Sequence, residues 1–328
     1  MYKVVVPAFG GPETLTIQEL SEPVLADHEV LVRLTSIGMN HADLMARRGE
    51  YRLISGEPPF TPGIEGGGII TAVGRAVTHR QIGQRVSLTL DAPGLGAGTY
   101  QSHYPVAAEK TVTMPDQVPD HLLGALWVPY LTAWGCLIWQ QALQPGQWVL
   151  LPAASSSVAI AASQVVKYHG GLTIGATTHP EKLTPLQREA SYDHLVVTTD
   201  PQWWRTVKQL TGHGVDVIFD PVAAGDFLNQ EIRLLAQGGT LWVYGLLGKP
   251  DVIDVTPLIR KQAAIRGWLV NQLVGSEVEF AAYQHVLDCV TAGIYSLPVA
   301  QTFSLRQVQA AHAAMAAGCH IGKLILIP

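Results

Sequence analysis

The stretch Pro152-Ala153-Ala154-Ser155-Ser156-Ser157-Val158 holds residues whose types and spacing suit phosphate chemistry. It follows the apolar run Val149-Leu150-Leu151 and precedes a second apolar segment, Ala159 to Tyr168. Small side chains let backbone N–H groups come close to a phosphate, and a helix starting there turns the positive end of its dipole toward the same anion. Leu172-Thr173-Ile174-Gly175-Ala176-Thr177 is a further apolar strand, so strand, turn, helix and strand form a βαβ unit of about 30 residues. That arrangement suits a dinucleotide. The glycine positions of the usual fingerprint read Ala154, Ser156 and Ala159, however, so a plain structural βαβ turn is the competing reading.

An NAD site usually places Asp or Glu about 20 residues after the turn, to bind the ribose 2′-hydroxyl. Here that region carries Thr177, Thr178, His179 and then Lys182. Hydroxyls and a cation in place of a carboxylate suit a 2′-phosphate, and NADPH is expected over NADH. The competing reading of Lys182 is a solvated helix start beside Glu181.

The elements that must position these groups fall into two classes. From Tyr2 to about Tyr104, short apolar or alternating runs (Tyr2 to Pro7, Leu15 to Leu20, Glu29 to Ser36) lie between turn signals, as in a coiled β domain. A short helix is expected to begin near Asn40 or His41. The glycines of Gly63-Ile64-Glu65-Gly66-Gly67-Gly68, leading to Gly74, mark a bulge or a close backbone approach inside a strand. From Pro119 to Leu143 the apolar period becomes helical. Beyond the βαβ unit, His194 to Val197, Val215 to Asp220, Gly239 to Tyr244 and Ile265 to Leu269 alternate with helical or loop material, implying a parallel sheet covered on both faces. Glu277 to Ala292 and Leu305 to Met315 read as helices, and Val299 to Phe303 and Gly322 to Ile327 as strands that return to the first domain.

With 328 residues the chain is long enough for two domains, and 48% hydrophobic and 14% charged residues describe a folded globular protein. A net charge of −5 without a Lys/Arg block argues against nucleic acid. No apolar stretch reaches membrane-spanning length and no leader is evident, which gives the expectation of a cytosolic protein. Cys136, Cys289 and Cys319 form no close pair and read as small hydrophobes.

Three segments resemble the medium-chain dehydrogenase/reductase superfamily, in its zinc-free quinone oxidoreductase and enoyl reductase branch. They are the glycine-glutamate stretch 63–68, the run Ser156-Ser157-Val158-Ala159 with Gln164 and Lys167, and Asn40 through Asp43 to Gly49-Glu50-Tyr51. The resemblance implies an α/β fold in which a doubly wound Rossmann domain (123–272) is inserted in a coiled β, GroES-like catalytic domain (1–122 plus 273–328), with the cofactor in the cleft between them. It implies hydride transfer from NADPH to a quinone, an enone or an enoyl thioester, small apolar acceptors that need no metal activation. Asn40 would lie near the nicotinamide ribose and substrate, and Tyr51 would be a candidate proton donor, with solvent as the rival source. For both residues a structural part is the alternative: a helix cap for Asn40, an aromatic lid for Tyr51. Tyr130 and Thr132 would touch the carboxamide, or simply pack in a helix. Thr198, Gly245 and Leu246 would meet the cofactor at strand ends, and Lys323 would reach its phosphates or be solvated. Glu65 reads as structural.

The superfamily's zinc enzymes carry a ligand Cys and a ligand His where this chain has Asn40 and Ile64, so no metal is expected. A zinc alcohol dehydrogenase and a non-catalytic, crystallin-like NADPH-binding protein are the rival functions. The apolar segment near Ile265 to Leu269, read as a sheet edge, suggests a homodimer.

Overall fold

The structure is a computed structural model describing residues 1–328. It divides into two compact units, residues 1–128 with 283–293 and 299–328, and residues 129–282 with 294–298. The crossovers lie several residues beyond the expected 122/123 and 272/273. Both fall within helices, Trp127–Trp134 (α3) and Glu279–Thr291 (α9), numbered here in the order of all helices given below. A continuous helix shows no composition shift where it leaves one core for the next.

The first unit holds strands β1 (Tyr2–Val5), β2 (Thr16–Glu19), β3 (Glu29–Gly38), β4 (Gly67–Val73), β5 (Arg85–Leu88), β6 (His103–Ala107) and β7 (Thr111–Thr113), and helices α1 (His41–Arg48) and α2 (Arg52–Ser55). The strand Lys323–Ile327 (β15) returns to pair antiparallel with β3, and Val299–Ser304 (β14) pairs parallel with β15. The chain's last segments thus complete the first unit, as the sequence pattern implies. β3 is almost wholly buried because it pairs with β4, β6 and β15. Its register against β4 shifts between Leu34 and Ser36, beside Gly67 and Gly68; a Cβ on Gly68 would collide with the Arg33 carbonyl. The glycine-rich run therefore serves a close backbone approach. The core runs from Val4, Val30 and Val32 through Ile70 and Val86 to Leu324 and Leu326, joined by Leu305, Val308 and Ala311. The last two lie on Val308–Ala317 (α10).

The second unit contains β8 (Trp148–Pro152), α4 (Ser157–Tyr168), β9 (Leu172–Thr177), α5 (Leu183–Glu189), β10 (His194–Val197), α6 (Trp203–Thr211), β11 (Val215–Asp220), α7 (Phe227–Leu234), β12 (Leu235–Val243), α8 (Thr256–Lys261) and β13 (Ala264–Gly267). The strands form one parallel sheet in the order β10-β9-β8-β11-β12-β13. The order reverses between β8 and β11, and ligands of such sheets bind outside the carboxyl ends at that switch point. The apolar runs of the central strands β8, β9 and β11 follow from helices covering both faces. β13 is an edge strand. No helix of the protein is long and apolar enough to cross a membrane.

Candidate cofactor and catalytic sites

At the switch point, the chain leaves β8 through Ala153, whose φ of 51° is a conformation an alanine adopts at a cost of about 1 kcal/mol. Ala154 follows, fully buried, with its N–H donated to the Ala176 carbonyl at 3.0 Å. Ser156 takes extended backbone angles as N-cap of α4, its Oγ accepting the Ala159 N–H at 3.2 Å. A serine here satisfies one of the donors that every helix start leaves open. The N–H groups of Ser155, Ser157 and Val158 have no acceptor in the protein. Lys182, buried after the end of β9, donates from Nζ to Ser155 Oγ at 3.0 Å. The structure thus joins two groups 27 positions apart that the sequence singled out separately.

Around them lie other expected residues. Thr177 Oγ1 accepts the His179 N–H at 3.2 Å, and the Thr177 carbonyl accepts the Thr198 N–H at 2.8 Å. Thr178 is the next residue past the end of β9, and its carbonyl accepts from Thr199 Oγ1 at 3.3 Å. His179 pairs with the exposed Glu181 at 2.8 Å. Gly245 and the half-exposed Leu246 follow β12 at the same sheet edge, where a Cβ on Gly245 would meet Pro221 at 3.1 Å.

In the first unit, Asn40, Glu65 and Lys323 form a buried polar cluster. Lys323 Nζ donates to Asn40 Oδ1 at 2.8 Å and makes a short ion pair with Glu65 Oε1. Asn40 Nδ2 donates to Glu65 Oε1 at 3.0 Å and to the Gly38 carbonyl at 3.1 Å, while Glu65 Oε2 accepts the Val128 N–H at 3.1 Å. Asn40 also starts α1, with its backbone N–H on Asp43 Oδ2 at 2.8 Å. Asp43 is fully buried; burial pushes its carboxyl up to about 7, against the opposing pull of the Asn40 N–H, Lys323 and the Tyr100 hydroxyl. Tyr51 is the N-cap residue of α2, half-buried, with no partner for its hydroxyl; burial raises the phenol, so it keeps its proton at neutral pH. Burial, and next Arg48, push the His41 imidazole down.

Residues 26–116 match the family model "Alcohol dehydrogenase GroES-like domain" and residues 157–292 the model "Zinc-binding dehydrogenase". A 2-haloacrylate reductase of Burkholderia sp is 30% identical over 99% of this chain and 98% of its own length. The chain belongs to the medium-chain dehydrogenase/reductase superfamily. Within it, its place is the zinc-free quinone oxidoreductase branch: a quinone oxidoreductase of Pongo abelii is 30% identical over all of this chain and 98% of that one. A Danio rerio protein named synaptic vesicle membrane protein VAT-1 homolog is 31% identical over 98% of this chain and 69% of its own length. The crystal structure of Escherichia coli quinone oxidoreductase complexed with NADPH superimposes with a TM-score of 0.90 at 24% identity, over 100% of both chains, a likeness of fold.

Three further expected residues have definite partners in this superfamily member. Lys323 is neither solvated nor turned toward a phosphate: its ammonium is 1% exposed and held by Glu65 and Asn40, because a buried cation requires an anion beside it. Tyr130 is fully buried, donates its hydroxyl to Gln164 Oε1 at 2.8 Å and stacks on Tyr295 at 4.9 Å. Thr132 lies in the same helix, its carbonyl accepting the Trp268 indole N–H at 2.9 Å. Both residues lie in the second unit.

Two buried groups escaped the sequence reading. Asp220, at the end of β11, caps the turn after it by accepting the N–H groups of Val222 and Ala223 at 2.6 and 2.7 Å. An acid closing an apolar strand was its signal. Glu231 on α7 is fully buried beside Asp220, and burial, reinforced by Asp220, raises its carboxyl. The second group is Arg47 and His312, both buried, with the Arg47 Nε and Nη1 and both imidazole nitrogens unpartnered. Burial, then Arg47, hold His312 down at about 3, so it is neutral. Only the spacing of Asp43 and Arg47, one turn apart on α1, hinted at a polar interior.

Proposed function

We propose that the chain is an NADPH-dependent oxidoreductase that reduces a quinone or an activated C=C bond without a metal. The observation that carries this reading is the Lys182–Ser155 contact, which brings a cation to the start of α4 beside the unpartnered N–H groups of Ser157 and Val158. These residues fit a dinucleotide phosphate: a twelve-residue helix offers open donors, small side chains leave the approach clear, and Thr177 and Thr178 stand where a carboxylate would repel a 2′-phosphate. Bound NADPH would supply hydride. Tyr51, protonated and without a protein partner, supplies the proton that completes reduction. Asn40 has both amide hydrogens engaged and one oxygen lone pair in use, so it offers a single acceptor site, which suits a ribose hydroxyl.

The acceptor class is read from Asn40 and Ile64, which stand where the superfamily's zinc enzymes carry ligands. Polarisation must then come from the acceptor itself, and relatives named quinone oxidoreductase and 2-haloacrylate reductase agree with that chemistry. We read the protein as cytosolic and as a homodimer that adds a strand at the open edge of β13; light scattering that reports a monomer removes the dimer.

The test is a fluorescence titration with NADPH and NADH, followed by NADPH oxidation with a quinone, an enone, an enoyl thioester and 2-chloroacrylate. Tight NADPH binding, weak NADH binding and turnover of one acceptor are expected. Binding without turnover of any acceptor gives the non-catalytic alternative, and absence of binding by either nucleotide removes the cofactor site.

A further inference from the structure

The turn after β8 has no glycine, so its backbone must be held by another means. The Ala154 carbonyl accepts a hydrogen bond at 2.8 Å from the hydroxyl of Tyr192, which lies 38 residues on, in the connection between α5 and β10. Burial pushes the Tyr192 phenol well above its ordinary range, so the hydroxyl stays a donor. Room for the ring comes from Gly175 in β9. A Cβ there would stand 2.8 and 2.9 Å from Tyr192 Cδ1 and Cε1, and 2.7 Å from Leu195 Cδ2. Glycine weakens a strand interior and often marks a place where another group must come close. Here the group is an aromatic ring whose polar tip reaches the phosphate-binding turn.

The consequence follows from peptide geometry. The Ala154 carbonyl and the Ser155 N–H belong to one planar trans unit and point in opposite directions. Fixing the carbonyl on Tyr192 aims the unpartnered Ser155 N–H the other way, and the same residue's hydroxyl is the one that Lys182 engages. We infer that Tyr192, admitted by Gly175, is a positioning residue that does for this turn what glycines do in the usual fingerprint, orienting the Ser155 N–H and hydroxyl toward a dinucleotide phosphate. The inference rests on the reading of residues 152–158 as the NADPH site.

Tyr192→Phe removes the hydroxyl and keeps the ring. In nucleotide-free protein, amide hydrogen exchange at Ala154 and Ser156, the turn's hydrogen-bonded N–H groups, is expected to accelerate about tenfold, as for a segment that has lost a restraint. The Kd and KM for NADPH should rise about fivefold, as for loss of one hydrogen bond, with kcat within about twofold. Gly175→Ala keeps the hydroxyl but crowds the ring, and should move exchange and affinity in the same direction. Unchanged exchange and unchanged NADPH affinity in Tyr192→Phe overturn the inference. So does a lowered Tm with affinity and exchange at wild-type values, which would mean a merely structural ring. If the wild-type protein binds no NADPH, the cofactor reading fails, while the exchange rates still decide whether Tyr192 holds the turn.

Discussion

The buried cluster of Asn40, Glu65 and Lys323 and the serine turn after β8 are both polar, yet their bonding is opposite. In the cluster the amide hydrogens of Asn40 have acceptors and both oxygens of Glu65 have donors, all within the first unit. In the turn three backbone N–H groups have no acceptor, beside a cation that already touches one serine. A nearly closed set of hydrogen bonds is scaffolding, because it leaves a ligand little beyond the one remaining acceptor site of the Asn40 oxygen. An open set of donors at the switch point of a parallel sheet is where a ligand adds bonds that the protein alone does not make. The comparison is sharpened by changes that should damage stability in the first region and affinity in the second.

The largest effect is expected for Lys323→Met. It leaves the Glu65 carboxylate buried without its cation, and breaking one partner of a buried pair costs about 3–5 kcal/mol. Urea unfolding should show it, and adding Glu65→Gln should recover much of the loss. A Lys323→Met protein as stable as wild type would show that the cluster is not scaffolding. Next comes Tyr51→Phe, expected to lower kcat by about a hundredfold at unchanged NADPH Kd, within the range of a lost general acid; an unchanged kcat assigns the proton to solvent. Lys182→Ala should weaken NADPH by about tenfold and leave NADH nearly unaffected, the measure of one charge-assisted hydrogen bond to phosphate. Equal weakening of both nucleotides would place Lys182 in the turn's structure and not at a 2′-phosphate.

The two regions were not equally legible in the sequence. The turn, the strand after it and the parallel sheet follow from local rules: apolar runs, small residues and their spacing. The return of the last segments to the first unit also shows in the break of the βαβ rhythm near Glu277. The cluster does not, since Lys323 meets Glu65 from 258 residues away and nothing near either residue reports the other. Tyr192 was invisible for the same reason, its significance lying in a glycine on β9 and a carbonyl in the turn after β8. The two readings of Tyr130 look alike in sequence, because a helical apolar run is the same whether its polar tips face a cofactor or a neighbour such as Gln164. The three-residue β7 was too short to carry a period.

A pH dependence is expected within the scaffold itself. Asp43 has a carboxyl pushed up to about 7 in the folded protein, against an ordinary value of 3.8. Between those values the native state binds a proton that the unfolded chain has released, so stability falls as pH rises. The contribution is fully present below about 4 and is lost on passing through about 7. Glu231 and Asp220, also raised, act with the same sign, whereas His312 and His41, pushed down, act with the opposite sign as pH rises to about 6.5. Asp43→Asn isolates one share of this slope. Asparagine keeps an oxygen to accept from the Asn40 N–H and the Tyr100 hydroxyl, so stability at pH 5 should change by no more than about 1 kcal/mol. As pH rises to about 7 the variant should gain on wild type, because it has no charge to bury, and above that the gain should hold constant. Urea midpoints of the two proteins measured from pH 5 to pH 8 should therefore cross or diverge in that direction; parallel curves would mean that Asp43 stays ionised, held by Lys323 and its hydrogen bonds, and that the cluster extends one residue further than its ion pair.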